Sequence, residues 1–99
     1  MNSITPDELQ QRIEAGEDLN IIDVREDEEV AAGMIPGAKH IPLGEVADRV
    51  DELDADQEYY MVCRGGRRSA MACEILEGNG VKCVNVEYGM TAWKGETIA

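Results

Sequence analysis

Cys63-Arg64-Gly65-Gly66-Arg67-Arg68-Ser69 gathers a soft nucleophile, two glycines and three guanidinium groups within seven residues. Two adjacent glycines let a backbone curl until successive N–H groups point inward as an anion nest, and a helix starting there adds the positive end of its dipole. A cysteine heading such a loop lies over the nest. Helix dipole and guanidinium charge both favour thiolate over thiol, which predicts a Cys63 pKa below the free value of ~8.5. The thiolate is the nucleophilic form, so this is a place for covalent catalysis.

The surroundings sharpen that reading. The chain has 99 residues with 21 Asp plus Glu against 9 Lys plus Arg, a formal charge of -12 and a pI near 4.3. A six-residue window should therefore hold about half a basic residue, yet residues 63–68 hold three. A field of this overall sign repels phosphate, which argues against nucleic acid and anionic membrane surfaces as general partners. An anion site on this molecule is local.

Other residues that could do chemistry have plainer explanations. The three cysteines form no C-x-x-C pair and there is one histidine, which argues against a disulfide framework and a zinc site. Cys73 falls in an apolar-faced helix and Cys83 in a strand, where core packing is the expected role. Asp23 ends an apolar segment and Arg25 follows it, the pattern of a structural ion pair supporting the site. His40 reads as a hydrogen-bonded loop histidine, Trp93 as packing, and the acidic run 26–29 as a solvated helix start favoured by the dipole.

The elements that must position Cys63 follow from periodicity. Thr5-Pro6-Asp7-Glu8 supplies an N-cap hydroxyl, a proline at the first helical position and a glutamate at the third, predicting a helix over about 6–15 ended by Gly16. Residues 19–24 read as a strand covered on both faces, 26–32 as an acidic-started helical turn, 33–37 as a loop and 38–41 as a short strand. Leu43, Val46, Ala47, Val50 and Leu53 share one face of an expected amphipathic helix. A buried strand at 59–62, a helix at 70–76 stopped by Gly78-Asn79-Gly80, and a strand at 81–86 complete the pattern. Alternating strands and helices with short connections give an α/β class with a central, mainly parallel sheet in one domain, residues 1–99. In such sheets ligands gather at the carboxyl ends of strands, which points to the segment after Val62. The longest uninterrupted apolar run, 59–63, is far short of the ~20 residues needed to span a bilayer, and the first residues lack a basic or apolar leader. The expected location is cytoplasmic.

C-R-G-G-R-R-S resembles the active-site loop of the rhodanese sulfurtransferases, C-R-x-G-x-R, whose cysteine carries a persulfide. Two further stretches resemble family signatures: residues 22–26 with 33–42 (Ile-Asp-Val-Arg-Glu, then Gly-Met-Ile-Pro-Gly-Ala-Lys-His-Ile-Pro), and Tyr88-Gly89-Met90-Thr91-Ala92-Trp93. The chain departs from the common pattern at Met34, where many members have histidine, and at Tyr88-Gly89, where they have a glycine pair. The resemblance implies a rhodanese-like three-layer fold, with helices on both faces of the sheet. It also implies ping-pong transfer of sulfane sulfur from thiosulfate or a persulfide donor, through a Cys63 persulfide, to a thiol, cyanide or protein acceptor, with no metal or organic cofactor. Arg64, next to the nucleophile, is the first choice for holding an anionic donor. Arg67 is open between a site role and a surface charge; Arg68 could equally brace the loop through carboxylates, and its family position favours a site role. Gly65 and Gly66 shape the nest.

Two other functions use similar residues. Cysteine-plus-arginine loops also hold oxyanions of phosphorus and arsenic, as in phosphatases and arsenate reductases on this type of fold. The related dual-specificity phosphatases place five residues between cysteine and arginine, and four separate Cys63 from Arg68 here. A persulfide carrier serving a dedicated protein partner is the third reading.

Overall fold

The computed structural model describes residues 1–99. Five strands form one parallel sheet: β1 (Asn2–Ile4), β2 (Asn20–Asp23), β3 (Lys39–His40), β4 (Glu58–Val62) and β5 (Lys82–Val86), in the spatial order β1-β5-β4-β2-β3. Three α-helices accompany them: α1 (Pro6–Glu14), α2 (Asp27–Ala31) and α3 (Arg67–Glu77). Strands β4 and β5 are central, so both their faces must be apolar, and successive residues alternate between two cores. Tyr59, Met61, Cys63 and Cys83 join Ala72, Cys73 and Leu76 of α3 on one face. Tyr60, Val62, Val84 and Val86 pack with Leu9 of α1 on the other, with Met90 and Trp93 against them. The architecture is the expected three-layer α/β arrangement.

The start of α1 is capped as the sequence predicts: Glu8 N–H donates to Thr5 Oγ1 at 3.2 Å, and the Glu8 carboxylate accepts from Thr5 N–H at 3.1 Å. Each core strand keeps its expected place to within a residue. Strand β1 was not expected. Its three residues are too few for a period and bury only Ile4; pairing with β5, Ile4 opposite Val86, is what makes it a strand.

Residues 43–53 depart from expectation. They form two 3₁₀ segments, Leu43–Glu45 and Ala47–Glu52, rather than one amphipathic α-helix. The hydrogen bonds span three residues: Val46 N–H to Leu43 O, Arg49 N–H to Val46 O and Leu53 N–H to Val50 O. The apolar spacing 43–46 and 50–53 suits a three-residue turn, which sends Leu43, Val46, Val50 and Leu53 to the core and leaves Ala47 exposed. Helix α3 also begins three residues earlier than its apolar period. Gly66 sits at its N-cap with φ 103°, a left-handed conformation that turns the chain directly from the loop into the helix. Arg67 and Arg68 therefore belong to the first helical turn.

Candidate active site

Strand alternation aims Cys63 at the N-terminus of α3. The residue is 1% exposed, and its Sγ accepts a hydrogen bond from Gly66 N–H at 3.0 Å, with Ser69 Oγ at 3.3 Å. Burial opposes the thiolate, but donation from the Ser69 hydroxyl and from the Ser69, Gly66 and Gly65 amides outweighs it, and the Cys63 pKa falls below the ordinary 9.0. The direction matches expectation while the cause differs. Hydrogen bonds to the sulfur, more than guanidinium charge, stabilise the anion.

The loop is held from below by the C-terminal segment. Met90 N–H donates to Cys63 O and Thr91 N–H to Arg64 O, each at 3.0 Å, from the 3₁₀ turn Gly89–Ala92. These bonds absorb carbonyls that a curled loop would otherwise leave unpaired. Tyr88 enters that turn in the left-handed region at φ 64° with its side chain exposed, the conformation that a glycine would adopt freely. Trp93 packs beneath, its indole N–H bonded to Glu96 O at 3.0 Å, as its packing role predicts.

The arginines divide. Arg68 makes a bidentate pair with Glu29 at 2.6 and 2.9 Å, so its guanidinium ties α3 to α2. The structure shows Arg68 bracing the loop, the alternative to the site role that its family position favours. Glu29 likewise corrects the reading of residues 26–29 as a purely solvated run, since that carboxylate is only partly exposed. Its signal was a run of four acids with no means of telling which would face a distant arginine. Arg25 pairs with Asp23 through Nε (3.0 and 3.1 Å) and Nη2 (2.9 Å), and Nη2 also reaches Gly33 O at 2.8 Å. Both side chains are buried, so the pair is the expected structural support. Its carbonyl is bonded to His40 Nε2 at 2.7 Å, as a hydrogen-bonded histidine requires, although His40 ends a strand rather than a loop.

Six of the nine Lys and Arg side chains pair with carboxylates; Arg64, Arg67 and Lys82 do not. Arg64 and Arg67 both flank Cys63 and both are exposed. Arg64 lines an open groove of about 330 Å³ with Arg25, Glu29, Ala32, Met90 and Thr91. Gly65 and Gly66 line a second depression on the other side of the loop with Asn85, Glu87 and Tyr88. Cys73 and Cys83 are buried in the core on the α3 side, away from these openings. The Cys83 sulfur and burial together push the Cys73 thiol up, which keeps it unreactive.

Glu29 also gives the site an acid limit. Hydrogen bonds from Arg68 and from the Glu26 amide hold its pKa at about 2 against an ordinary 4.5. A depressed carboxylate stabilises the fold above 4.5, and this contribution disappears as pH falls towards 2. Glu29→Gln should therefore lower the thermal midpoint near pH 7, and the gap from the parent protein should close between pH 4.5 and 2 in a pH series of melts.

A parallel sheet with a buried cysteine heading a glycine loop at the carboxyl end of its central strand, against a helix N-terminus, defines a thiol site on an α/β domain. Residues 5–96 match the sequence profile of the rhodanese-like domain, and the chain belongs to that family. The Bacillus subtilis protein named "Putative sulfurtransferase YtwF" is 55% identical over 89 residues, covering 90% of this chain and 86% of that one. "Putative sulfur carrier protein YrkF" of the same organism is 45% identical over 95 residues, 95% of this chain and 51% of its own length. The crystal structure of a Staphylococcus aureus rhodanese-like domain protein superposes with a TM-score of 0.91 at 48% identity, covering 97% of this chain and 94% of that one. The fold and the sulfurtransferase or sulfur-carrier family are thus shared. No helix is long and apolar enough to cross a membrane.

Proposed function

We propose that the protein moves sulfane sulfur from thiosulfate or a persulfide donor to a thiophilic acceptor, with Cys63 carrying the sulfur between half-reactions. The Cys63 thiolate attacks the outer sulfur of thiosulfate, the S–S bond breaks, and sulfite departs with the bonding pair. Cys63–S–S⁻ remains. Cyanide, a thiol or a protein thiolate then takes the terminal sulfur and returns the Cys63 thiolate, so charge balances in both steps. The observation that carries this reading is a cysteine sulfur held by the Gly66 amide at 3.0 Å in a loop whose Arg64 and Arg67 are exposed and carry no carboxylate partner. The sulfur supplies a soft nucleophile, the nest amides suit the terminal sulfur's charge, and Arg64 suits a dianionic donor. With Arg68 occupied by Glu29 and only four residues between it and Cys63, the loop suits a phosphoryl group poorly. The relationship to a named sulfur carrier favours, as the second reading, rapid transfer to one protein partner with slow small-molecule turnover.

Intact-mass measurement after incubation with excess thiosulfate tests both. One added sulfur atom, mapped to the Cys63 peptide and removed by cyanide, is expected. Arg64→Ala should raise KM for thiosulfate about 10- to 100-fold, the loss of one charge-assisted contact. Absence of an adduct with thiosulfate and with a small persulfide, or hydrolysis of an aryl phosphate, would overturn the proposal.

A further inference from the structure

Ser69 has one hydroxyl proton and two neighbours that compete for it. Its Oγ lies 2.6 Å from Asn85 Oδ1, to which it donates, and 3.3 Å from Cys63 Sγ. Asn85 lies on the same face of β5 as Cys83, two residues along, and that face meets α3. Its other amide group, Nδ2, donates to Gly66 O at 3.1 Å. Ser69 is fully buried and Asn85 is 7% exposed, so water does not readily replace either partner.

We propose that Asn85 is a positioning residue that competes with the Cys63 sulfur for the single Ser69 proton and so sets how readily the nucleophile ionises. While Cys63 is a thiol, S–H donates to Ser69 Oγ and Ser69 O–H to Asn85 Oδ1, a chain with every proton used. When Cys63 ionises, its Sγ offers only lone pairs. The Ser69 hydroxyl then turns to the sulfur and Asn85 Oδ1 loses its donor. After sulfur loading the negative charge sits on the terminal sulfur, and the Ser69 proton is free to return to Asn85. The proposal deepens the reading of Cys63 as a nucleophile and rests on it.

The charged groups around this chain of bonds are Arg64, Arg67 and Arg68 of the loop and α3, Glu26 at the N-cap of α2 and Glu29 within it, Asp23 with Arg25 at the end of β2, and Glu87 after β5. None of their side chains hydrogen-bonds Cys63, Ser69 or Asn85. Changing Asn85 leaves them all in place.

The test is the pH dependence of Cys63 alkylation by iodoacetamide, read by peptide mass so that Cys73 and Cys83 do not contribute. It uses no sulfur donor, so it stays readable even if thiosulfate is not a substrate. Ser69→Ala should raise the midpoint by about one unit, the loss of one donor to a thiolate. Asn85→Ala should lower it by roughly half a unit to one unit with Ser69 present, because the competitor is gone, and should cause no lowering in the Ser69→Ala background. The size-matched Asn85→Asp, a stronger acceptor for the hydroxyl, should raise it. A residue that merely held Gly66 would shift Asn85→Ala and Asn85→Asp in the same direction, since both remove that donor. Such a shared shift, or an Asn85→Ala effect independent of Ser69, would overturn the proposal.

Discussion

Cys63→Ser is expected to abolish sulfur transfer, with a loss of roughly 10³- to 10⁶-fold in a thiosulfate-to-cyanide assay. The substitution changes one atom and keeps the nest, the Gly66 amide donor and the Arg64 groove, so donor binding should survive while the adduct does not form. A hydroxyl at position 63 is not ionised near neutrality, and the hydrogen-bond partners at that position, the Gly66 amide and the Ser69 hydroxyl, are not bases that could activate it. The two proteins should also differ in how stability varies with pH. Burial raises the Cys63 pKa, but the Ser69 hydroxyl and the Ser69, Gly66 and Gly65 amides lower it by more, so the folded value lies below the unfolded value near 9.0. Such a group contributes stability above 9.0 and loses it as pH falls through the folded value. Relative to Cys63→Ser, the parent protein should therefore gain stability as pH rises towards 9, measurable as diverging urea midpoints. Equal slopes would mean that the fold does not favour the thiolate.

The second large effect is structural and lies outside the nucleophile's own loop. In Gly89→Ala the new methyl would overlap the Cys63 carbonyl oxygen and lie 2.9 Å from the Arg64 carbonyl oxygen. Gly89 also has φ 45°, in the left-handed region. The backbone change alone costs an alanine about 1–2 kcal/mol, and overpacking against backbone adds about 1–3 kcal/mol. A loss of about 2–5 kcal/mol in a domain of this size lowers the melting midpoint by about 8–40 °C. Gly37→Ala isolates the two costs, because it has φ 82° but nothing within 4 Å of the added methyl; it should lose only about 1–2 kcal/mol. Gly89→Ala should also impair Cys63 alkylation at temperatures where the fold persists, since relief of the overlap displaces the very carbonyls that Met90 and Thr91 hold. Similar melting losses for the two variants would show that close approach at Gly89 does not matter.

Both predictions bear on why some parts of this site are legible in a linear sequence and others are not. Cys63, Arg64 and the two glycines are adjacent in the chain, and the strand-then-helix pattern around them places the loop at the carboxyl end of a central strand. Local chemistry and period suffice there. Arg68 shows where they stop. Its role turns on Glu29, 39 residues away, and three neighbouring acids in the run looked equally able to stay in solvent. Ser69 and Asn85 are 16 residues apart and neither is unusual by type; only the packing of α3 on β5 brings their oxygens to 2.6 Å. The stretch at 43–53 failed for a different reason, since apolar spacings of three and four residues satisfy an α-helix and a 3₁₀ turn nearly equally.

The sequence by itself determined the α/β class, the place of Cys63 and its loop at the end of a central strand and the sign of the Cys63 pKa shift, because these follow from patterning and from groups within a few residues of one another. Tertiary structure alone decided which arginines carry no carboxylate partner, which carboxylate braces the loop, how the Gly89 turn clasps Cys63 and Arg64, and where the Ser69 proton points. Those depend on groups far apart in the chain, and the hydrogen-bond partner that each buried polar group must find is chosen only when the layers close.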